Sequence, residues 1–118
     1  MKIGEAAKET GLSISNIRFY EKKGLLEPAR DQESKYRNYT EEDILRLKKI
    51  IIFRKMDLSV EQIAAMLRGK TDVKKVLKNQ EQELLNKIRE MEGALELCRI
   101  LEKEEAPLDI EPEQYLDY

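Results

Sequence analysis

The chain has 118 residues, about one domain's worth, and 39% of them are charged against a globular average of about 25%, which predicts one compact core with an exposed extension. With no histidine and a single cysteine, Cys98, it builds no His/Cys metal cluster, Ser–His triad, Cys–His pair or intrachain disulfide, so no enzyme of those kinds and no metal or cofactor site is expected. The formal charge of −2 is unevenly divided: residues 1–60 carry 13 Lys and Arg against 10 Asp and Glu, and residues 61–118 carry 9 against 14, a mildly basic front and an acidic back.

The opening "MKIGEAAKET" has no apolar run of signal-peptide length, and no stretch approaches the roughly 20 apolar residues of a membrane helix, so a cytoplasmic protein that enters no membrane is expected. Ile3, Ala6 and Ala7 share one face of a short first helix that Gly11 ends, glycine supplying a left-handed turn that a side chain resists. Ser13 then caps a second helix in which Ile14, Ile17 and then Tyr20 or Glu21 follow at helical spacing until Gly24. Small Ala7, Gly11 in the turn and apolar Leu12, Ile14 and Ile17 fit a helix-turn-helix, a unit used for DNA binding and also for plain packing.

Pro28 bars a helix through "EPARDQESKYRNYT", and "DQES" separates two short stretches that pair as a hairpin, whose return stretch interleaves basic residues with Tyr36 and Tyr39. Thr40 with Asp43, and Ser59 with Gln62, make capping boxes for two further helices. In the first of these, Ile44, Leu47 and Ile51 give the core face, and Arg54 and Lys55 sit near the basic end.

From Thr71 to about Glu105 there is no proline, and the stripe Leu77, Leu84, Ile88, Met91, Leu95 and Cys98 steps by four and three from Leu84 onward, as a coiled-coil seam does. A partner helix is implied, and Cys98 is read as a small apolar filler of that seam. Beyond it, "APLDIEPEQYLDY" carries two prolines and four acidic groups with no base, an extended acidic tail or linker.

The pieces "IGEAAKETGLS", "IRFYEKKGLL", "YRNYTEEDI" and "LSVEQI" resemble the N-terminal half of the MerR family of bacterial transcription regulators. The resemblance implies a mainly α fold: a winged helix-turn-helix over residues 1–70, a dimerisation helix over 71–105 forming an antiparallel coiled coil, and the tail over 106–118. It further implies a homodimer on palindromic double-stranded promoter DNA, which it bends and untwists so that RNA polymerase engages both promoter elements. Carried over by position, Arg18 and Tyr20 on the recognition helix, Tyr36 and Arg37 on the wing and Arg54 at a helix end contact DNA. Ser15 and Asn16 are candidates for base edges, since Asn reads adenine's paired donor and acceptor, and Phe19 is left as the core ring.

The chain departs from the family's sensor patterns. Metal-sensing members carry cysteines at the start of the dimer helix and in a loop after it, whereas Cys98 lies well inside the helix. Redox-sensing members need several clustered cysteines, and aldehyde-sensing members a cysteine where this chain has Ile52. Drug-sensing members append a ligand domain that the 13 residues after Glu105 cannot form. The effector is thus unknown, and the chain is expected to be an isolated DNA-binding and dimerisation part or to act without a small ligand. The rival readings are an excisionase-like architectural factor, which usually lacks the long dimer helix, and a coiled-coil adaptor that binds no DNA, which predicts no salt-dependent duplex binding.

Overall fold

The computed structural model describes all 118 residues in the order α1 (Ile3–Thr10), α2 (Ile14–Lys22), β1 (Ala29–Arg30), β2 (Arg37–Asn38), α3 (Glu41–Lys55), α4 (Val60–Leu67) and α5 (Val73–Glu102), with a 3-10 turn at Pro112–Gln114. These form two compact units, Met1–Val76 and Leu77–Tyr118. In the first, α1 packs on α2 and α3, and α3 on α4, around a core that includes Ala6, Ile17, Leu25, Leu26, Leu47, Ile50 and Leu58.

The starts of α2, α3 and α4 are set by side-chain caps. Ser13 Oγ accepts the Asn16 amide, and Thr40 with Asp43 and Ser59 with Gln62 close full capping boxes, each satisfying amides that the first turn leaves unpaired. Gly11, at φ 78°, ends α1 in the left-handed region that a side chain resists, its amide donating to the Ala7 carbonyl at 2.8 Å. Gly24 is more constrained, because besides its φ of 78° a Cβ there would lie 2.6 Å from Arg68 Nη2, which donates to the Gly24 carbonyl. Arg46 Nε donates to the neighbouring Leu25 carbonyl at 2.6 Å, so two guanidinium groups hold the chain as it leaves α2 and buries Leu25 and Leu26.

The wing is the antiparallel pair β1–β2, with Ala29 opposite Asn38 and Arg30 opposite Arg37. Its turn is organised by Asp31, whose Oδ1 accepts the amides of Glu33 and Ser34 while Lys35, at φ 63°, reverses the chain. Those amide bonds, Ser34's first, hold the Asp31 carboxyl below its ordinary value, so their support for the turn is present above the usual carboxylate range and is lost as pH falls through it.

Three expectations need correction here. On α2, Tyr20 is the core ring at 7% exposure and Phe19 the outward one at 43%, the reverse of the assignment carried over from the family pattern. The reason is helical geometry: Tyr20 lies three residues after fully buried Ile17 and shares its face, while Phe19 is turned away by one helical step. On α3, Ile50 rather than Ile51 completes the buried face with Ile44 and Leu47, so the stripe steps by three twice.

The third concerns residues 106–118, which are not extended. In the second unit Tyr118 lies against α5, its carbonyl carbon 3.8 Å from where a Gly93 Cβ would be, and the rings of Tyr115 and Tyr118 meet at 6.4 Å. Ile110 and Tyr115 are half-buried, apolar side chains that leave water as the segment folds back, while Leu108 stays exposed. Gly93 sits within one continuous helix.

The ring reversal is testable by urea unfolding: Tyr20→Ala is expected to cost about 3–5 kcal/mol as a large buried ring, and Phe19→Ala less than about 1 kcal/mol. Equal losses at the two sites would contradict the burial difference.

Candidate nucleic-acid interface

The sequence turns α2 so that its buried side, Ile17 and Tyr20, leaves Ser15, Asn16, Arg18, Phe19, Lys22 and Lys23 exposed. The front of this face is the capped first turn carrying Ser15 and Asn16; its back half is cationic. The Lys23 ammonium stands 5.8 Å from the centre of the Phe19 ring, a use for that outward ring that the sequence reading did not anticipate.

Glu21 joins this helix to the wing. Its side chain is only 10% exposed, and its two carboxylate oxygens are taken separately, Oε1 by the Tyr39 hydroxyl and Oε2 by Arg37 Nε. The carboxylate is therefore paired and hydrogen-bonded, the condition under which a largely buried charge is tolerated. Tyr39, 1% exposed, is gripped at its backbone as well: its amide donates to the Met1 carbonyl at 2.7 Å, and the Met1 amine donates to the Tyr39 carbonyl at 2.7 Å and to Asn38 Oδ1 at 2.8 Å.

The wing thus lies beside α2 with its cations interleaved with those of the helix. Arg18 and Arg37 line two adjoining clefts, one completed by Lys2, Ile3, Gly4 and Tyr36, the other by Glu21, Lys22, Leu26, Glu27, Pro28 and Arg30. Of the seven residues expected to meet DNA, the structure brings Arg18, Tyr36 and Arg37 together, with Tyr36 exposed, and leaves Ser15 and Asn16 exposed on α2. Tyr20 is the exception, since its buried ring packs in the core. Arg54 lines neither cleft; it is exposed at the end of α3, where Nη1 donates to the Leu58 carbonyl at 2.8 Å and so ties the α3–α4 connection. Lys2 and Arg30 were not singled out from the sequence; Arg30 had a signal, standing in the wing directly opposite Arg37.

On α5, Ile88, Met91, Leu95 and Cys98 of the expected seam are exposed, Met91 at 70%, and Leu77 and Leu84 are half-buried. Between Leu77 and Leu84, Gln80 is buried and Glu81 exposed.

Two helices joined by a tight turn, a cationic outward face on the second and a two-stranded hairpin beside it define a winged helix-turn-helix module. The chain belongs to the MerR HTH family of regulatory proteins, whose family model matches residues 1–70. It is 41% identical over 95 residues to "Heavy metal-dependent transcription regulator 2" of Rhizobium meliloti (strain 1021), a match covering 75% of this chain and 65% of that protein, so the chain spans a little under two thirds of that relative's length. Among solved structures, the N-terminus of MtaN, the Bacillus subtilis multidrug transporter activator, superposes with a TM-score of 0.78 at 25% identity, over 88% of this chain and 99% of that one. HiNmlR, described as a MerR family regulator lacking the sensor domain and bound to promoter DNA, superposes with a TM-score of 0.60 at 25% identity, over 85% of this chain and 81% of that one. The relatives are transcriptional regulators, a non-enzymatic class, and no helix of this chain is long and apolar enough to cross a membrane.

The Glu21 junction makes a pH prediction. Burial, and then the hydrogen bond to Glu21, raise the Tyr39 phenol far above its usual 10.0, with Arg37 and Arg18 pulling the other way. A folded-state value above the unfolded one contributes stability that is intact below pH 10 and is lost as pH rises beyond it, because the unfolded chain sheds the proton first. Unfolding free energy is therefore expected to fall more steeply with pH above about 10 in the wild type than in Tyr39→Phe, by up to about 1.4 kcal/mol per pH unit. Parallel curves in denaturant titrations would contradict a retained phenol proton.

Proposed function

We propose that the chain is a sequence-specific DNA-binding transcriptional regulator that acts as a homodimer on a palindromic promoter and distorts that DNA to control transcription by RNA polymerase. The observation that carries the reading is the joint basic surface of α2 and the wing. A recognition helix presented with its capped first turn outward suits the major groove, and cations on the adjoining hairpin suit the phosphates beside it. In this reading Ser15 and Asn16 meet base edges, Arg18, Tyr36 and Arg37 meet the backbone, and Arg54 adds a contact from the end of α3.

Dimerisation rests on α5. Ile88, Met91 and Leu95 leave an apolar strip in water along a 30-residue helix, and a second copy packed antiparallel covers it in an isologous, self-complementary contact. Leu77, Leu84 and Cys98 extend the strip. A dimer also places two recognition helices for two half-sites, the arrangement to which a palindrome corresponds. The residues after Glu102 are proposed to be part of this dimerisation unit.

The heavy-metal dependence in the relative's name does not carry over to the residues present. Cys98 is the single thiol, and no three His, Cys, Asp or Glu side chains are grouped to hold an ion, so no step is assigned to a metal.

Selection of duplexes from a random-sequence pool by the purified chain is expected to recover an inverted repeat, with the purified chain sedimenting as a dimer at micromolar concentration. Met91→Lys is expected to yield monomers that bind more weakly while keeping the helical spectrum of the first unit. Recovery of no common motif, or of single half-sites by a monomeric wild type, would overturn the proposal.

A further inference from the structure

The two clefts that share Arg18 and Arg37 differ in charge. The one that includes Arg30 of β1 has Glu21 and Glu27 beside Arg18, Lys22, Arg30 and Arg37, so part of its positive charge is cancelled within the protein. The other has no acidic residue among Lys2, Ile3, Gly4, Arg18, Tyr36 and Arg37. Arg37 is already engaged with Glu21, which leaves Lys2 and Arg18 as the charges with no carboxylate in this cleft to offset them.

Lys2 is held in place by the fold. Pairing of Met1 with Tyr39 lays the start of α1 along the wing's return strand, and there the Lys2 ammonium stands 5.5 Å from the centre of the Tyr36 ring, itself 65% exposed. An ammonium over an aromatic face keeps its charge and its remaining donors available, and the ring limits the positions it samples. Arg18 approaches the same cleft from α2 and is exposed.

From this arrangement we infer that the cleft is a seat for one phosphate of duplex DNA, in which Lys2 and Arg18 neutralise the phosphodiester and Tyr36 fixes the Lys2 ammonium. The inference rests on the DNA-binding reading above and adds Lys2, the N-cap residue of the helix before the recognition helix, to the contact surface. The phosphate lies where the first helix, the recognition helix and the wing converge, so one contact fixes all three against the duplex.

A phosphate contact has a readout that a structural role lacks. Each neutralised phosphate adds about 0.9 to the slope of log affinity against log salt concentration on duplex DNA, whatever the base sequence. Fluorescence anisotropy of the full chain on long mixed-sequence duplex DNA, across a salt series, is expected to give Lys2→Gln a slope shallower than wild type by about 0.9 for each protomer engaged, about 1.8 for the homodimer, and Lys2→Arg a slope restored to wild type. Thermal unfolding of all three proteins is expected to coincide. A Lys2→Gln slope equal to wild type, or a Lys2→Arg slope as shallow as that of Lys2→Gln, would overturn the seat while leaving the DNA-binding reading standing; a wild type whose affinity is independent of salt would remove both.

Discussion

The geometry of the basic surface depends on one carboxylate. Glu21 projects from α2 and is claimed by two residues of the wing, the Tyr39 hydroxyl and the Arg37 guanidinium. A short hairpin of two-residue strands has too little ladder to hold itself, and a largely buried carboxylate is costly unless paired, so each solves the other's problem. A chain with net charge −2 presents a positive face here because its basic residues are concentrated in the first half, and with Glu21 and Arg37 paired to each other, Arg18, Lys22, Arg30 and Lys2 remain on the outside.

Rigidity and charge have separate sources at this surface. Arg37 gives up much of its net charge to Glu21 but gains a fixed direction, while Arg18 and Lys2 keep their charge, with the backbone of Arg18 set by the helix that buries Ile17 and that of Lys2 by the Met1–Tyr39 pairing. Preformed placement matters for a surface that has to meet phosphates at set spacing, since ordering long side chains on binding costs about 0.5–1.5 kcal/mol for each one immobilised.

What the sequence made legible was local. Ser13, Thr40 with Asp43 and Ser59 with Gln62 mark helix starts because a cap acts over three residues, and Gly11 marks a stop because its conformation needs no partner. Tyr20 shows where a family pattern misleads: helical spacing from Ile17 allowed it on the buried side, and positional likeness assigned it to DNA instead. Adjacent rings on a helix point about 100° apart, so one in and one out was decidable from sequence, whereas which one required the core they meet. The Glu21 junction was out of reach, because Tyr39 is 18 residues away and nothing local pairs them. The fold-back of residues 106–118 was hidden likewise, since prolines and acidic groups read as extended chain while half-burial of Ile110 and Tyr115 depends on the surface of α5.

That fold-back bears on how α5 divides its apolar residues. By helical angle, Leu84, Ile88, Met91 and Leu95 fall on one side, and Gly93, Leu97, Ile100 and Leu101 on roughly the opposite side. The second group includes Gly93, against which Tyr118 lies, and its leucines and isoleucine are half-buried, whereas Ile88, Met91 and Leu95 stay about half to two-thirds in water. A helix apolar on two sides has two surfaces with which to associate, and two open surfaces favour chains of copies over a closed pair. With the chain's own C-terminal residues against one side, a single strip is left, and a single self-complementary strip is the geometry that closes as a dimer.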